Sequence, residues 1–404
     1  MTAKDLIELG NSALFNTYNR GDKLFVSGKG VYLTNSDGEE YLDFVSGIAT
    51  NILGHSNEKI IAAVSKQAAT LMHISNIYWN KPSIELADKL VNYKGAGSLE
   101  KVFFSNSGAE ANEGALKLAR KYGREVNGEQ CSEVITLTDS FHGRTMATLS
   151  ATGQPDMHKD FQPLLPGSKY VALNDSDALK AAVNDNTCAV LVETIQGEGG
   201  INPLSDEFVQ TLKELQADGL LLIIDEVQTG IGRTGTLYSF EQFGLGPDIV
   251  TLAKGLGGGF PIGAFMATDK VAAHFNPGDH GTTLGGNPLG TAVGNVIFDE
   301  IIDAGLLDNV AARAEQLNAG LQKIADKTGA IAELKGLGLL VGIEFKDGVQ
   351  AADVITACYD EKMLVVGAKH NVVRLLPPLN VTAAEIDEAL EKFGAAVGKA
   401  GKQY

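Results

Sequence analysis

Cysteine is almost missing from this chain. Its 404 residues hold three, Cys131, Cys188 and Cys358, far apart and odd in number. None stands at metal-ligand or redox-pair spacing, so a disulfide framework, a cysteine-rich zinc site and a dithiol centre are excluded, and reduced thiols in the cytosol are expected. Positive charge is also short: 33 Lys and Arg against 50 Asp and Glu leave a net charge of −17. A nucleic-acid binder needs a basic stripe, and there is none, so no nucleic-acid partner is expected. No apolar run approaches the roughly 18 residues of a membrane span, so no membrane partner is expected either. The first residues include Asp5 and Glu8 and lack an apolar core, so no export or organelle signal is assigned. There is no G-x-x-x-x-G-K-[ST] loop and no G-x-S-x-G elbow. His142 has no second His or Cys at ligand spacing, so no metal is expected.

What the chain does contain is ordinary globular material, 44% hydrophobic and 21% charged, long enough for two or three domains. Residues 1–45 read as an arm, with a short helix and small strands around the turn Asn35-Ser36-Asp37-Gly38. From Lys101 short apolar runs alternate with helical stretches. The runs are 102–104, 134–137, 170–173, 189–192, 221–224, 249–252 and 262–267; helices are expected at 109–126, 176–183 and 205–218. Such alternation predicts an α/β fold, a mainly parallel sheet covered on both faces. After about Pro288 the pattern changes to helices at 289–302 and 310–327, strands at 339–345 and 372–376, and a last helix at 383–397. The expected division is an arm at 1–45, a large domain at 46–287 and a smaller α+β domain at 288–404.

Two strand ends carry the chemistry. The run Leu221–Ile224 ends on Asp225, and Ile249–Ala253 ends on Lys254, followed at once by a glycine-rich turn. Ligands of open α/β sheets bind at the carboxyl ends of the strands. An aldehyde cofactor needs a lysine for a Schiff base, and a pyridine ring needs an acidic partner for its nitrogen, so these residues fit pyridoxal phosphate.

Other motifs fall at strand ends too. Ser107 and Glu110 have capping-box spacing at the start of a helix, and Gly108 lets an anion approach the free N–H groups. Phe141 could stack on a ring and Arg144 could grip a carboxylate. Glu193 and Glu198 border the glycine-rich loop Gln196–Gly200, where a glutamate can swing or simply sit in solvent. Gly230-Ile231-Gly232-Arg233-Thr234-Gly235 matches G-x-G-x-x-G formally. It starts five residues after Asp225 with no long helix behind it, which makes a dinucleotide enzyme the poorer alternative.

Asp225-Glu226-Val227-Gln228, Gly232-Arg233-Thr234-Gly235, Ala253-Lys254 and Gly257-Gly258-Gly259-Phe260-Pro261 resemble the signature of class III, ω-type, pyridoxal-phosphate aminotransferases. So do Ser107 to Asn112, Phe141 to Arg144, Gln196 to Gly200 and His280 to Pro288, and the likeness extends from Gly54-His55 to Arg374-Leu375. The resemblance implies fold type I, an aspartate-aminotransferase-like homodimer with shared active sites. It implies that Lys254 bonds the cofactor and shuttles the proton, and that Asp225 keeps the ring nitrogen protonated. Phe141 and Val227 would cover the two ring faces, and Gln228 would bind the ring hydroxyl. Gly108 and Ala109, with Ser107, would hold the phosphate, which Thr283 would reach from the partner subunit. Glu226 would be a further cofactor contact, and Thr282 would line the partner's substrate pocket.

The resemblance further implies N2-acetyl-L-ornithine as amine donor and 2-oxoglutarate as acceptor. Arg144 would grip the donor's carboxylate. Arg374 would take the α-carboxylate of the oxo acid, and Glu198 would pair with Arg374 when the donor is bound. Ornithine, succinylornithine, 4-aminobutyrate and acetyl-lysine are the sister donors, and a non-catalytic cofactor-binding protein is a remoter alternative. Three positions depart from the usual pattern: Ala109 where threonine is frequent, Thr194 where proline is usual, and Leu284 where tyrosine is frequent.

Overall fold

The structure, a computed structural model, describes residues 1–401. Its centre is a seven-stranded sheet in the order Lys101–Ser105, Gly263–Ala267, Ile249–Leu252, Leu221–Asp225, Thr187–Val192, Glu133–Leu137 and Ser168–Val171. Six strands run in parallel. Gly263–Ala267 is antiparallel to both of its neighbours and alone returns the chain against the others. Leu221–Asp225 and Thr187–Val192 are buried at every position, as strands covered on both faces must be. Successive residues serve opposite faces: Leu221 and Ile223 pack with Leu118 and Phe265, while Leu222 and Ile224 pack with Phe208 and Leu212.

The 20-residue helix Gly108–Asn127 lies across one face. Gly114 sets how near it comes: a Cβ there would stand 2.3 Å from Cε1 of Phe265, so only glycine allows this approach. Asp206–Ala217, capped by Ser205 and with Asp206 and Glu207 in its first turn, covers the opposite face.

The expected run at 170–173 is displaced to Ser168–Val171. After residue 302 the chain builds a second, all-antiparallel sheet in the order Ile331–Leu337, Leu340–Phe345, Val372–Leu375 and Val366–Ala368. Helices Leu306–Thr328, Ala351–Asp360 and Ala383–Ala400 pack together beside it. Two of these strands and the helix at 351–360 are absent from the sequence reading. Ile331–Leu337 buries only Ile331 and has an irregular register between Ile331 and Glu333, which breaks the alternation that marks a strand. Val366–Ala368 is three residues long.

Near the N-terminus Phe25–Lys29, Tyr32–Asn35 and Glu40–Asp43 form a small sheet, which Met363–Leu364 joins as a parallel fourth strand. Asn35 Oδ1 closes the Asp37-Gly38 turn by accepting from the Asp37 and Glu39 N–H groups at 3.0 and 2.9 Å. The helix Pro288–Ile302, with proline in its first turn, packs against the helices Glu58–Thr70 and Lys81–Asn92 and against Leu306–Thr328. The boundary expected at 288 is therefore the start of a helix that touches both parts of the molecule. Among the described residues no helix is long and apolar enough to cross a membrane, and no cluster of His, Cys, Asp and Glu could hold a metal.

Candidate active site

The carboxyl edge of the large sheet opens into a cavity of about 410 Å³. Each strand that ends there contributes to its wall. Asn106 to Ala109 follow Ser105, Phe141 to Arg144 follow Leu137, Glu193 follows Val192, Asp225 to Gln228 end the next strand, and Ala253-Lys254 follow Leu252.

Asp225 is held by three donors. Its Oδ2 accepts from Asn112 Nδ2 and from His142 Nδ1, both at 2.8 Å, and its Oδ1 accepts the Val227 N–H at 2.9 Å. Asn112 is itself fixed: Nδ2 also donates to the His142 carbonyl at 2.8 Å, and Oδ1 accepts from Thr251 Oγ1 at 2.8 Å. Thr251 is the residue beside Asp225 in the next strand. The sheet register, one helix turn and the Phe141 loop thus aim a single carboxylate into the cavity. His142 Nε2 is buried there without a protein partner.

Lys254 sits one residue beyond Ala253 with φ 42°, a left-handed conformation that costs energy for a residue with a Cβ. Burial holds its ammonium below the ordinary lysine range; Glu198 opposes that effect, and Arg374 adds to it. The N-terminus of Gly108–Asn127 lies at the cavity wall, where free N–H groups can receive an anion. Ser107 Oγ accepts the Glu110 N–H at 3.2 Å, while Glu110 reaches back one residue further than the expected box, to the Asn106 N–H at 2.6 Å. A Cβ on Gly108 would stand 2.7 Å from Val227 Cγ1, so the glycine keeps this helix end and the Val227 side of the cavity close together. The Arg144 guanidinium is exposed and lies 5.7 Å from the Phe141 ring centroid.

Arg374 and Glu198 form a two-pronged pair, Nη1 to Oε1 at 2.7 Å and Nη2 to Oε2 at 3.0 Å. Arg374 is 1% exposed. Its remaining donors go to the Gly197 and Gly367 carbonyls and to Gln228 Oε1. Gln228 also lines the cavity, so it joins the pair to the site.

One expected contact lies elsewhere, and two were expected in the partner's site rather than in this cavity. Glu226 turns away from the cavity because its carboxylate accepts the Ser239 and Phe240 N–H groups at 2.8 and 2.7 Å; burial pushes it up to about 8. Thr283 is exposed and Thr282 half-buried, outside this chain's cavity wall. Thr282 Oγ1 accepts the Gly285 N–H at 3.1 Å. The formal dinucleotide motif is a run of turns with no helix behind it, and its Arg233 is buried as a brace to the Leu339 and Pro377 carbonyls.

Sequence reasoning gave no role to Asn112, left His142 without one and undervalued Glu193. Asn112 follows Gly108 by four residues, one helical turn, which puts both on one face; that spacing was the available signal. Glu193 is buried, accepts the Phe141 and Gly197 N–H groups at 3.1 Å each, and is pushed up by burial to about 7.

Against known proteins, the profile of the aminotransferase class-III family matches residues 17–397. The chain is 48% identical to an acetylornithine aminotransferase of Caldanaerobacter subterraneus subsp. tengcongensis, covering 94% of this chain and 95% of that one. It is similar to the crystal structure of ornithine aminotransferase from Toxoplasma gondii ME49, with a TM-score of 0.94 and 31% identity over 100% of this chain and 97% of that one. It is similar also to N-acetylornithine aminotransferase from Stenotrophomonas maltophilia K279a, with a TM-score of 0.83 and 34% identity over 97% and 98% of the two chains.

Proposed function

The chain belongs to the class-III aminotransferases, and from that premise we propose that it is an acetylornithine aminotransferase of arginine biosynthesis. It passes the terminal amine of N2-acetyl-L-ornithine to 2-oxoglutarate, giving N-acetyl-L-glutamate 5-semialdehyde and L-glutamate. The names of its relatives support the donor. The observation that carries the proposal is the Glu198–Arg374 pair beside a cavity that also holds Arg144 and Lys254.

The donor brings one carboxylate, which Arg144 holds, while Glu198 neutralises Arg374. The oxo acid brings two. Glu198 then swings off, Arg374 takes the α-carboxylate, and Arg144 holds the distal one. One pocket thereby offers two charge patterns in turn, as a ping-pong enzyme with unlike substrates requires. Acetylation favours this donor over ornithine, because it removes the α-ammonium charge that would otherwise stand beside the Arg144 guanidinium.

The family depends on pyridoxal phosphate, and the residues here fit it. The Gly108 cradle, which a Cβ would close, suits a phosphate. A carboxylate clamped by three donors suits a protonated ring nitrogen. We assign the phosphate to Ser107, Gly108 and Ala109, the ring nitrogen to Asp225, the ring faces to Phe141 and Val227, the ring hydroxyl to Gln228, and the carbonyl carbon to Lys254. Bound there, the cofactor supplies an aldehyde that carries the amino group and a ring that withdraws electrons. Lys254, whose ammonium burial holds below the ordinary lysine range, takes the proton from the amine-bearing carbon and gives it back in the reverse direction.

The enzyme works as a homodimer in the cytosol, in which Thr282 and Thr283 complete the partner's site. The support for a dimer is the exposure of Ile77, Tyr78, Trp79 and Leu284 on neighbouring segments, which Asn76 joins by donating to the Thr282 and Gly285 carbonyls. The chain divides at residues 45 and 287. The test is steady-state kinetics of Arg144→Ala. KM should rise for both substrates by about 10- to 100-fold, the worth of one charge-assisted, two-pronged contact. Unchanged KM for either substrate removes the role given to Arg144.

A further inference from the structure

A second ion-pair cluster lies behind the Glu198–Arg374 pair. Asp139, in the loop that leads to Phe141 and Arg144, accepts from Lys369 Nζ at 2.6 Å through Oδ1 and from His370 Nε2 at 2.9 Å through Oδ2. Lys369 and His370 form the tip of the hairpin whose return strand carries Arg374. The hairpin loop is the three residues Lys369 to Asn371, of which His370 and Asn371 both have φ 60°. Asn371 fastens that turn to the small sheet by donating to the Phe345 and Val349 carbonyls and accepting from the Ala351 N–H.

The Glu198 loop is caught between these parts. The Lys369 N–H donates to the Glu198 carbonyl at 3.1 Å. Gln196 Nε2 donates to the Thr138 carbonyl at 2.8 Å. A Cβ on Gly199 would stand 2.8 Å from the Asp139 carbonyl oxygen, and one on Gly200 would stand 3.2 Å from that of Lys369. The loop is thus packed against Asp139 on one side and the hairpin tip on the other. Burial raises the Asp139 carboxyl, but Lys369 and His370 outweigh it and hold the group below its ordinary value.

We propose that Asp139, Lys369 and His370 form a latch that keeps the Glu198 loop seated beside Arg374, and so sets how readily the pocket exchanges its one-carboxylate donor for a dicarboxylate. The proposal rests on the reading of Glu198–Arg374 as a gate. With the latch closed, the Glu198 backbone is fixed at the hairpin and the paired state dominates, as it does here. A dicarboxylate binds only the unpaired state, so its apparent affinity is reduced by the scarcity of that state. Opening the latch frees the loop and makes the unpaired state more common. The three residues are positioning residues: they act through Glu198 and touch no substrate.

The prediction runs against ordinary damage. In Asp139→Asn, which keeps the side-chain shape and removes its charge, the KM for 2-oxoglutarate should fall by up to about fivefold, the worth of a partly exposed ion pair. The KM for acetylornithine should stay within about twofold, because the paired state remains the major one. Lys369→Met, on a half-buried hairpin tip, should do the same, and serves if Asp139→Asn folds poorly. The assay is steady-state kinetics of the cofactor-loaded enzyme with both substrates varied, beside Glu198→Ala and the double variant Asp139→Asn/Glu198→Ala. Glu198→Ala should lower the 2-oxoglutarate KM further, and Asp139→Asn should add nothing in its presence. If Glu198→Ala leaves the balance between the two substrates unchanged, the gate reading fails. If Glu198→Ala shifts the balance but Asp139→Asn and Lys369→Met do not, or if they weaken both substrates alike, the latch is overturned.

Discussion

Replacing Asn112 with leucine tests how Asp225 is held. The two side chains branch at the same carbon, so the change removes hydrogen bonds with little change of shape. Asn112 is 1% exposed, and its amide joins Asp225 Oδ2, the His142 carbonyl and Thr251 Oγ1, each at 2.8 Å. All three partners are buried. Asp225 keeps His142 Nδ1 and the Val227 N–H, so it is weakened rather than stripped. The His142 carbonyl and the Thr251 hydroxyl lose a partner that water cannot easily replace. At about 1–3 kcal/mol for each of the two polar groups left unsatisfied, the total is about 2–6 kcal/mol. That is a large share of the ~5–15 kcal/mol by which a typical domain is stable. Urea denaturation of the cofactor-free protein should show this loss with the slope unchanged. Cofactor affinity, followed by absorbance titration, should fall by about tenfold because the carboxylate is less well aimed. A loss below about 1 kcal/mol would refute the claim that Asn112 is the hinge of this network.

Glu193 carries a pH signature. Burial lifts it to about 7 from the ordinary glutamate value of 4.5, so the folded chain keeps a proton that the unfolded chain has released. Its contribution is fully present below pH 4.5 and is lost as pH rises through about 7, a fall of roughly 3 kcal/mol. Glu193→Gln should flatten that decline in chemical denaturation across the range, and an unaltered slope would contradict the assignment. Gly108→Ala should cost about 1–3 kcal/mol in stability by overpacking against Val227. It should also weaken cofactor binding at least tenfold in the same absorbance titration; wild-type affinity would show that the cradle is not where the anion binds.

The large sheet was legible because its strands are short, apolar and separated by clear helical periods. Leu221–Asp225 and Ile249–Leu252 fall within a residue of where their apolar runs place them, and their ends deliver Asp225 and Lys254 to one cavity. The small sheet was less legible, since Ile331–Leu337 is mostly half-buried and bulged, with no alternation of burial, and Val366–Ala368 is too short to show a period. The site was read best where a residue stands at a strand end and lines the cavity itself. It was read poorly where one residue holds another, because a hydrogen bond such as Asn112 to Asp225 spans 113 positions and leaves no local mark. Glu226 shows the converse error. It adjoins Asp225 in sequence, yet it lies just past the strand end, and its carboxylate is spent on Ser239 and Phe240. Asp139, Lys369 and His370 carry no motif at all, and only the fold brings them together.

The most direct test of the account is the amine half-reaction. The visible band of the purified, cofactor-loaded enzyme would be followed while acetylornithine, ornithine, succinylornithine, 4-aminobutyrate and acetyl-lysine are added separately. Rapid loss of the band with acetylornithine, faster than with any other donor and reversed by 2-oxoglutarate, is the predicted result. A band that acetylornithine leaves intact while another donor removes it would contradict the proposed substrate, and a protein that takes up no pyridoxal phosphate would contradict the reading of Lys254 on which the rest depends.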